Sequence, residues 1–258
     1  MSTATSTLAA RVIPCLLLKD GGLVKTVHFK NSRYVGDPIN AVRIFNDKEV
    51  DELVILDIGA TTEERQPPFE TIADIATECF MPLAYGGGIR SIEDAQQLFA
   101  LGVEKVIINS RAVEDPQLVT RLAERFGSQS IVVSVDVRRS LLGRYEVFTH
   151  SGRKASGLDP FKHAAEMELR GAGEILLNSI DRDGTMTGYD LDLIRRLSAC
   201  VSLPVVACGG AADVQDLAQA IAHGASGAAA GSMFVFHGRH RAVLISYPDR
   251  EQLQAVLQ

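Results

Sequence analysis

The chain has 258 residues, 46% hydrophobic, 22% charged and 6% aromatic, which supplies a large core and excludes a disordered or collagen-like protein. Its net charge of −6 disfavours a duplex-binding surface, so no nucleic-acid partner is expected, although a local basic patch is compatible with a phosphate ligand. Four cysteines (Cys15, Cys79, Cys200 and Cys208) without C-x-x-C spacing fit core thiols in a reducing cytoplasm; neither the N-terminus nor the short apolar run Gly227–Phe236 reads as a signal or membrane segment.

Short β-branched runs alternate with longer amphipathic stretches, the order that a parallel sheet with crossover helices requires. The first predicted strand is Arg11–Leu18; Asp37-Pro38 then reads as an N-cap with proline at the first helical position. Glu52–Ile58 and Leu83–Tyr85 are the second and third strands, after which Ser91 and Asp94 predict a capping box. Gly102 ends the next helix before the fourth strand, Lys105–Asn109. Ile131–Val137 is the fifth, followed by an insertion over Arg138–Gly157 whose glycines predict a hairpin above one rim. Gly171 precedes the sixth strand, Glu174–Asn178; Val205–Cys208 is the seventh; Gly224 closes the helix before the eighth, Gly227–Gly231.

Residues recur at an offset of 122: Glu52 with Glu174, Pro82 with Pro204, Gly87 with Gly209, Gly88 with Gly210, Gly102 with Gly224, and Ser110 with Ser232. A period this long is no solenoid. It predicts an α/β protein, one (β/α)8 TIM barrel over residues 1–258 built from two similar half-barrels. The rival, a doubly wound open sheet, lacks a G-x-G-x-x-G opening a helix after the first strand.

In a barrel the chemistry sits in the loops after the strands. Glycines at Gly87-Gly88 and Gly209-Gly210 would let a phosphate approach backbone N–H groups. Either pair alone reads better as a tight turn, but their symmetry favours two anion sites. Asn109-Ser110 and Gly231-Ser232 add small donors beside them, and the pair implies a doubly phosphorylated or comparably long anionic ligand. Among the carboxylates, Asp57 is expected to cap a loop, Asp136 to act as general acid or base, and Asp183, next to Gly184, to contact ligand. The strand starts Arg11, Glu52, Lys105 and Glu174 are all charged; they are either simply solvated or a ring of ion pairs around an axial opening. The six histidines show no metal-ligand spacing, so neither metal nor cofactor is expected.

Over nearly its whole length the sequence resembles the cyclase subunit of imidazole glycerol phosphate synthase. The motifs are Arg11-Val-Ile-Pro-Cys15, Lys19-Asp20-Gly21, Gly36-Asp37-Pro38, Asp51-Glu52-Leu53, Gly86-Gly87-Gly88-Ile89-Arg90-Ser91, Phe126-Gly127-Ser128-Gln129, Gly171-Ala172-Gly173-Glu174-Ile175-Leu176 and Asp181-Arg182-Asp183-Gly184-Thr185. The resemblance implies a glutaminase subunit on the barrel floor, an ammonia gate of Arg11, Glu52, Lys105 and Glu174, and a doubly phosphorylated substrate at the mouth. The family's mobile loop begins near Lys25, which is read as an anion contact or as a solvated lysine. Of the family's two catalytic aspartates, Asp136 matches one, whereas Leu17 stands where the other belongs; Cys208 replaces a small hydroxyl residue.

The stretches Cys15–Val27, Glu49–Asp57 and His240–Pro248 further resemble a surface-polysaccharide branch of the family. There the barrel and a glutaminase supply ammonia to a sugar amidotransferase that makes acetamidino groups. Three readings follow: that branch, a cyclase of histidine biosynthesis that tolerates Leu17, and a noncatalytic phosphate-binding scaffold.

Overall fold

Runs rich in Val, Ile, Leu and Ala become the strands of a barrel in the computed structural model, which describes residues 10–140 and 142–257. The first half comprises β1 (Arg11–Lys19), β2 (Gly22–Val27), β3 (Lys30–Gly36), α1 (Pro38–Asp47), β4 (Leu53–Asp57), α2 (Phe69–Glu78), β5 (Leu83–Gly86), α3 (Ile92–Ala100), β6 (Lys105–Ile108), α4 (Ser110–Glu114) and α5 (Gln117–Phe126). The second comprises β7 (Ile131–Arg139), β8 (Tyr145–Thr149), β9 (Lys154–Ala155), α6 (Pro160–Leu169), β10 (Glu174–Ser179), α7 (Leu191–Ser198), β11 (Val205–Cys208), α8 (Val214–Ala222), β12 (Gly227–Ala230) and α9 (Ser232–Val235). A short hairpin of β13 (Phe236–His237) and β14 (Ala242–Val243) and a helix, α10 (Arg250–Leu257), follow.

Parallel pairing of β1 with β12, Arg11 opposite Gly227, and of β7 with β10, Val132 opposite Glu174, closes the ring β1-β4-β5-β6-β7-β10-β11-β12. This is a (β/α)8 barrel, as the alternation predicts. The period-two alternation of the strands separates two cores. Outward-facing Val12, Leu16, Leu18, Leu53 and Ile55 join the large core under the helices, while Ile13, Val54, Ala84, Val132, Leu176 and Val206 belong to a smaller cluster filling the barrel.

The punctuation behaves as the sequence indicates. Asp37 caps α1, accepting from the Asn40 amide at 2.9 Å. Ser91 and Asp94 form the reciprocal capping box, at 3.2 Å to the Asp94 amide and 3.1 Å back to the Ser91 amide. The insertion after the fifth barrel strand is a hairpin: β7 runs past the barrel and pairs antiparallel with β8, Asp136 opposite Phe148.

A second excursion is structured as well. Where the sequence suggests a loop around Lys25, β2 folds back on β1, Leu18 opposite Leu23, and continues into β3. The turn is made by Asp20 and Gly21 at φ of 50° and 75°. Leu23, Val24, Lys25 and Thr26 are all buried, so the strand packs on both faces, and a lysine in its middle masked the pattern.

Candidate functional site

The C-terminal ends of the barrel strands surround a cavity of about 530 Å³. Asp136 and Leu17 both line it. They sit on β7 and β1, which are four strands apart in a ring of eight and therefore opposite each other across the mouth. Burial pushes the Asp136 carboxyl up to about 7, the Ser134 hydroxyl opposing by donating at 2.9 Å and the Asp183 charge reinforcing. A carboxyl at this position can hold or release a proton near neutrality. Leu17, 9% exposed, offers the cavity only methyl groups.

Gly87, Gly88, Gly209, Gly210, Gly231, Ser110, Ser232 and Gly184 all line the same cavity. Several of these glycines are sterically required, Gly87 and Gly210 among them. At Gly87 (φ 120°) a Cβ would overlap the Asp57 carbonyl, and at Gly210 (φ 117°) it would overlap the Gly188 carbonyl. Ser110 and Ser232 begin α4 and α9, the matching short helical turns of the two halves. Their first amides lack intrahelical acceptors.

Other predicted contacts are already engaged. The Asn109 amide donates to the carbonyls of Ser134 (3.1 Å) and Phe148 (3.2 Å), tying β6 to β7 and to the β8 hairpin. Ser110 Oγ accepts from the His150 amide at 3.0 Å. The Asp183 carboxylate accepts from Thr26 Oγ1 (2.7 Å) and the Phe29 amide (3.1 Å), while its carbonyl accepts from the His28 amide (3.0 Å). Asp183 thus latches the β2–β3 turn onto the mouth. Asp57 caps its loop, accepting from the Gly59 and Ala60 amides at 2.9 Å each.

Lys25, on β2, is buried, and its ammonium lines the cavity while donating to the Cys15 carbonyl at 2.9 Å. Gly231 makes room for it, since a Cβ there would overlap Nζ. Its hairpin strand, not a loop, holds this cation at the mouth. Cys15 and Cys208 line the cavity from either side of β12; the hydrogen bond with Cys15 and burial push the Cys208 thiol up.

Sequence reasoning missed several groups. Asn178 Oδ1 faces the cavity wall with no donor among the described residues. His150, unremarkable in the sequence, lines the mouth with Nε2 at 3.5 Å from Glu114. Its turn position, φ 53°, depends on the hairpin's register, which no local motif announces.

At the opposite end, the four charged strand starts meet. Arg11 contacts Glu52 at 2.5 Å and Glu174 at 2.6 Å; Lys105 contacts Glu52 at 2.9 Å and Glu174 at 3.3 Å. The alternating signs form a ring, with the two glutamate side chains only 4% and 10% exposed. Burial works against the Arg11 charge, but Glu174 and Glu52 outweigh it and hold its pKa above the ordinary value.

The fold and these two ends define a (β/α)8-barrel protein with a titratable carboxyl at its C-terminal mouth and an ionic floor. The chain belongs to the family described as histidine biosynthesis protein, whose profile matches residues 11–241. It is 54% identical over 244 residues to the "Putative imidazole glycerol phosphate synthase subunit hisF2" of Pseudomonas aeruginosa, covering 94% of this chain and 97% of that one. It is 45% identical over 231 residues to the "Imidazole glycerol phosphate synthase subunit HisF" of Alkaliphilus metalliredigens, covering 89% and 92%.

Proposed function

We propose that this chain is the ammonia-receiving barrel subunit of a glutamine amidotransferase complex, and that it supports acetamidino-group formation on a surface-polysaccharide sugar. A glutaminase subunit docks on the floor, and ammonia passes the ring of Arg11, Glu52, Lys105 and Glu174. Gly87, Gly88 and Ser110 hold one phosphate of a doubly phosphorylated molecule; Gly184, Gly209, Gly210, Gly231 and Ser232 hold the other, with Lys25 adding charge, while Asn109 and Asp183 fix the hairpins around the two loops. A sugar amidotransferase consumes the ammonia. The observation that carries this reading is Leu17 opposite Asp136 in the mouth: one proton-transfer position keeps its carboxyl and the other has none.

The second reading is a cyclase of histidine biosynthesis. It is favoured by the relatives named as imidazole glycerol phosphate synthase subunits and by an Asp136 carboxyl poised near neutrality. Single-turnover kinetics of the imidazole-forming bisphosphate with excess ammonium separates the two. Wild type is expected to cyclise poorly, and Leu17→Asp to gain about 10-fold or more, since a positioned acid or base contributes about 10²- to 10⁴-fold. Asp136→Asn in that background should abolish the gain. Robust cyclisation by wild type overturns the amidation reading in favour of the cyclase. Reconstitution with glutaminase and sugar amidotransferase tests the amidation itself.

A further inference from the structure

Beside the mouth a second cleft, of about 650 Å³, opens between the turn joining β2 to β3 and the turn joining β8 to β9. It is continuous with the mouth through Thr26, Phe29, Ile58, Thr62 and Ser151, which line both. Lys19, Lys30, Arg138 and Arg153 line it against one carboxylate, Glu63. Glu63 is held by Arg65 at 2.7 Å, and Arg138 reaches Asp181 only at 4.0 Å. Among the described residues, Lys19, Lys30 and Arg153 have no carboxylate within 4.0 Å. In a chain of net charge −6, four cations facing one hollow repel each other, with only Glu63 among the lining carboxylates to offset them; a bound anion reverses that balance.

The cleft is also built. Arg138 donates to the Gly152 carbonyl at 3.3 Å and lies 4.4 Å from the Phe148 ring centroid, which fixes the orientation of its guanidinium. Gly152 lets the two hairpins meet: a Cβ there would stand 2.9 Å from the Phe29 ring.

We propose that this cleft binds a diphosphate group, distinct from the phosphate-sized loops of the mouth. The four cations come from four separate segments, the end of β1, the start of β3, the extension of β7 and the turn before β9. Four cations against the one carboxylate Glu63 exceed the charge of a single phosphate, whereas two linked phosphates carry a matching charge. The inference does not depend on which reaction the mouth supports, because none of the four cations is assigned to that chemistry.

Titration calorimetry at low salt with inorganic pyrophosphate, uridine diphosphate, adenosine diphosphate and inorganic phosphate tests it. Lys30→Ala with Arg153→Ala should weaken diphosphate binding about tenfold or more, the scale of losing charge-assisted contacts. Lys48→Ala with Arg125→Ala, which removes two exposed cations elsewhere, should leave it unchanged. Thermal melts of both doubles check that folding is intact. Tighter binding of a nucleoside diphosphate than of pyrophosphate identifies a nucleotide ligand; equal binding identifies the diphosphate alone. Undetectable binding, equal binding by wild type and the cleft double, or the same loss in both doubles overturns the proposal.

Discussion

At the scale of single residues, the mouth is decided by what each side chain still has to offer. The position of Asp136 was legible because Val133-Ser134-Val135-Asp136 alternates as a strand and ends at the mouth. That Asp183 and Asn109 spend their polar atoms on neighbouring hairpins was not, since those partners lie up to 157 residues away. The raised carboxyl of Asp136 has a consequence for stability. An unfolded aspartate titrates near about 3.9, whereas here burial pushes it up to about 7. Between those values the folded chain holds a proton that the unfolded chain has released, so stability falls as pH rises and the cost is complete above about 7. Such a shift is worth about 4 kcal/mol at full burial. Water in the open cavity screens part of it, which leaves about 2 kcal/mol. Asp136→Asn should therefore be more stable than wild type at pH 8 by about 2 kcal/mol, with a smaller advantage at pH 5. Urea midpoints at the two pH values check this; a constant gap would mean that Asp136 titrates as an exposed aspartate does.

At the scale of elements, regular punctuation was readable and the excursions were less so. Local residues dictate the caps of α1 and α3, and glycines at 102, 171 and 224 take φ of 101°, 96° and 102° after α3, α6 and α8. The β7–β8 hairpin announced itself through clustered glycines. The β2–β3 hairpin did not, because its stability comes from tertiary partners: pairing of β2 to β1, and Asp183 reaching across from the loop after β10. Asp183→Ala deprives the Phe29 amide and the Thr26 hydroxyl of their acceptor. Losing one such bond costs about 1 kcal/mol or slightly more, so exchange of the Phe29 amide should speed up about tenfold, while amides of β4 and β5 stay as protected as before. Hydrogen exchange resolved by residue reads this directly. Unaltered protection at Phe29 would show that the turn is held by β-pairing alone.

At the scale of the whole molecule, the offset of 122 places like on like: Glu52 and Glu174 on the floor, Gly88 and Gly210 at the mouth, Ser110 and Ser232 opening matched helical turns. The two ends of one barrel are thereby specialised differently, with ion pairs below and a polar cavity above, and small apolar side chains such as Ala84 and Ala229 between them. A ring of two cations and two carboxylates is neutral only as a set. Lys105→Met leaves Arg11 alone between two glutamates that are nearly shielded from water. Removing one partner of a buried pair costs about 3 kcal/mol or more, which the 18% exposure of Lys105 reduces to about 2 kcal/mol in unfolding free energy. If ammonia passes this ring, the same variant should change glutamine-dependent turnover in the reconstituted complex while turnover with free ammonium, which enters at the mouth, stays near wild type. Lys105→Arg, which keeps the charge, should recover stability more fully than it recovers the passage, because the larger guanidinium occupies the axis. Equal effects on both nitrogen sources would make the ring a structural floor and no gate.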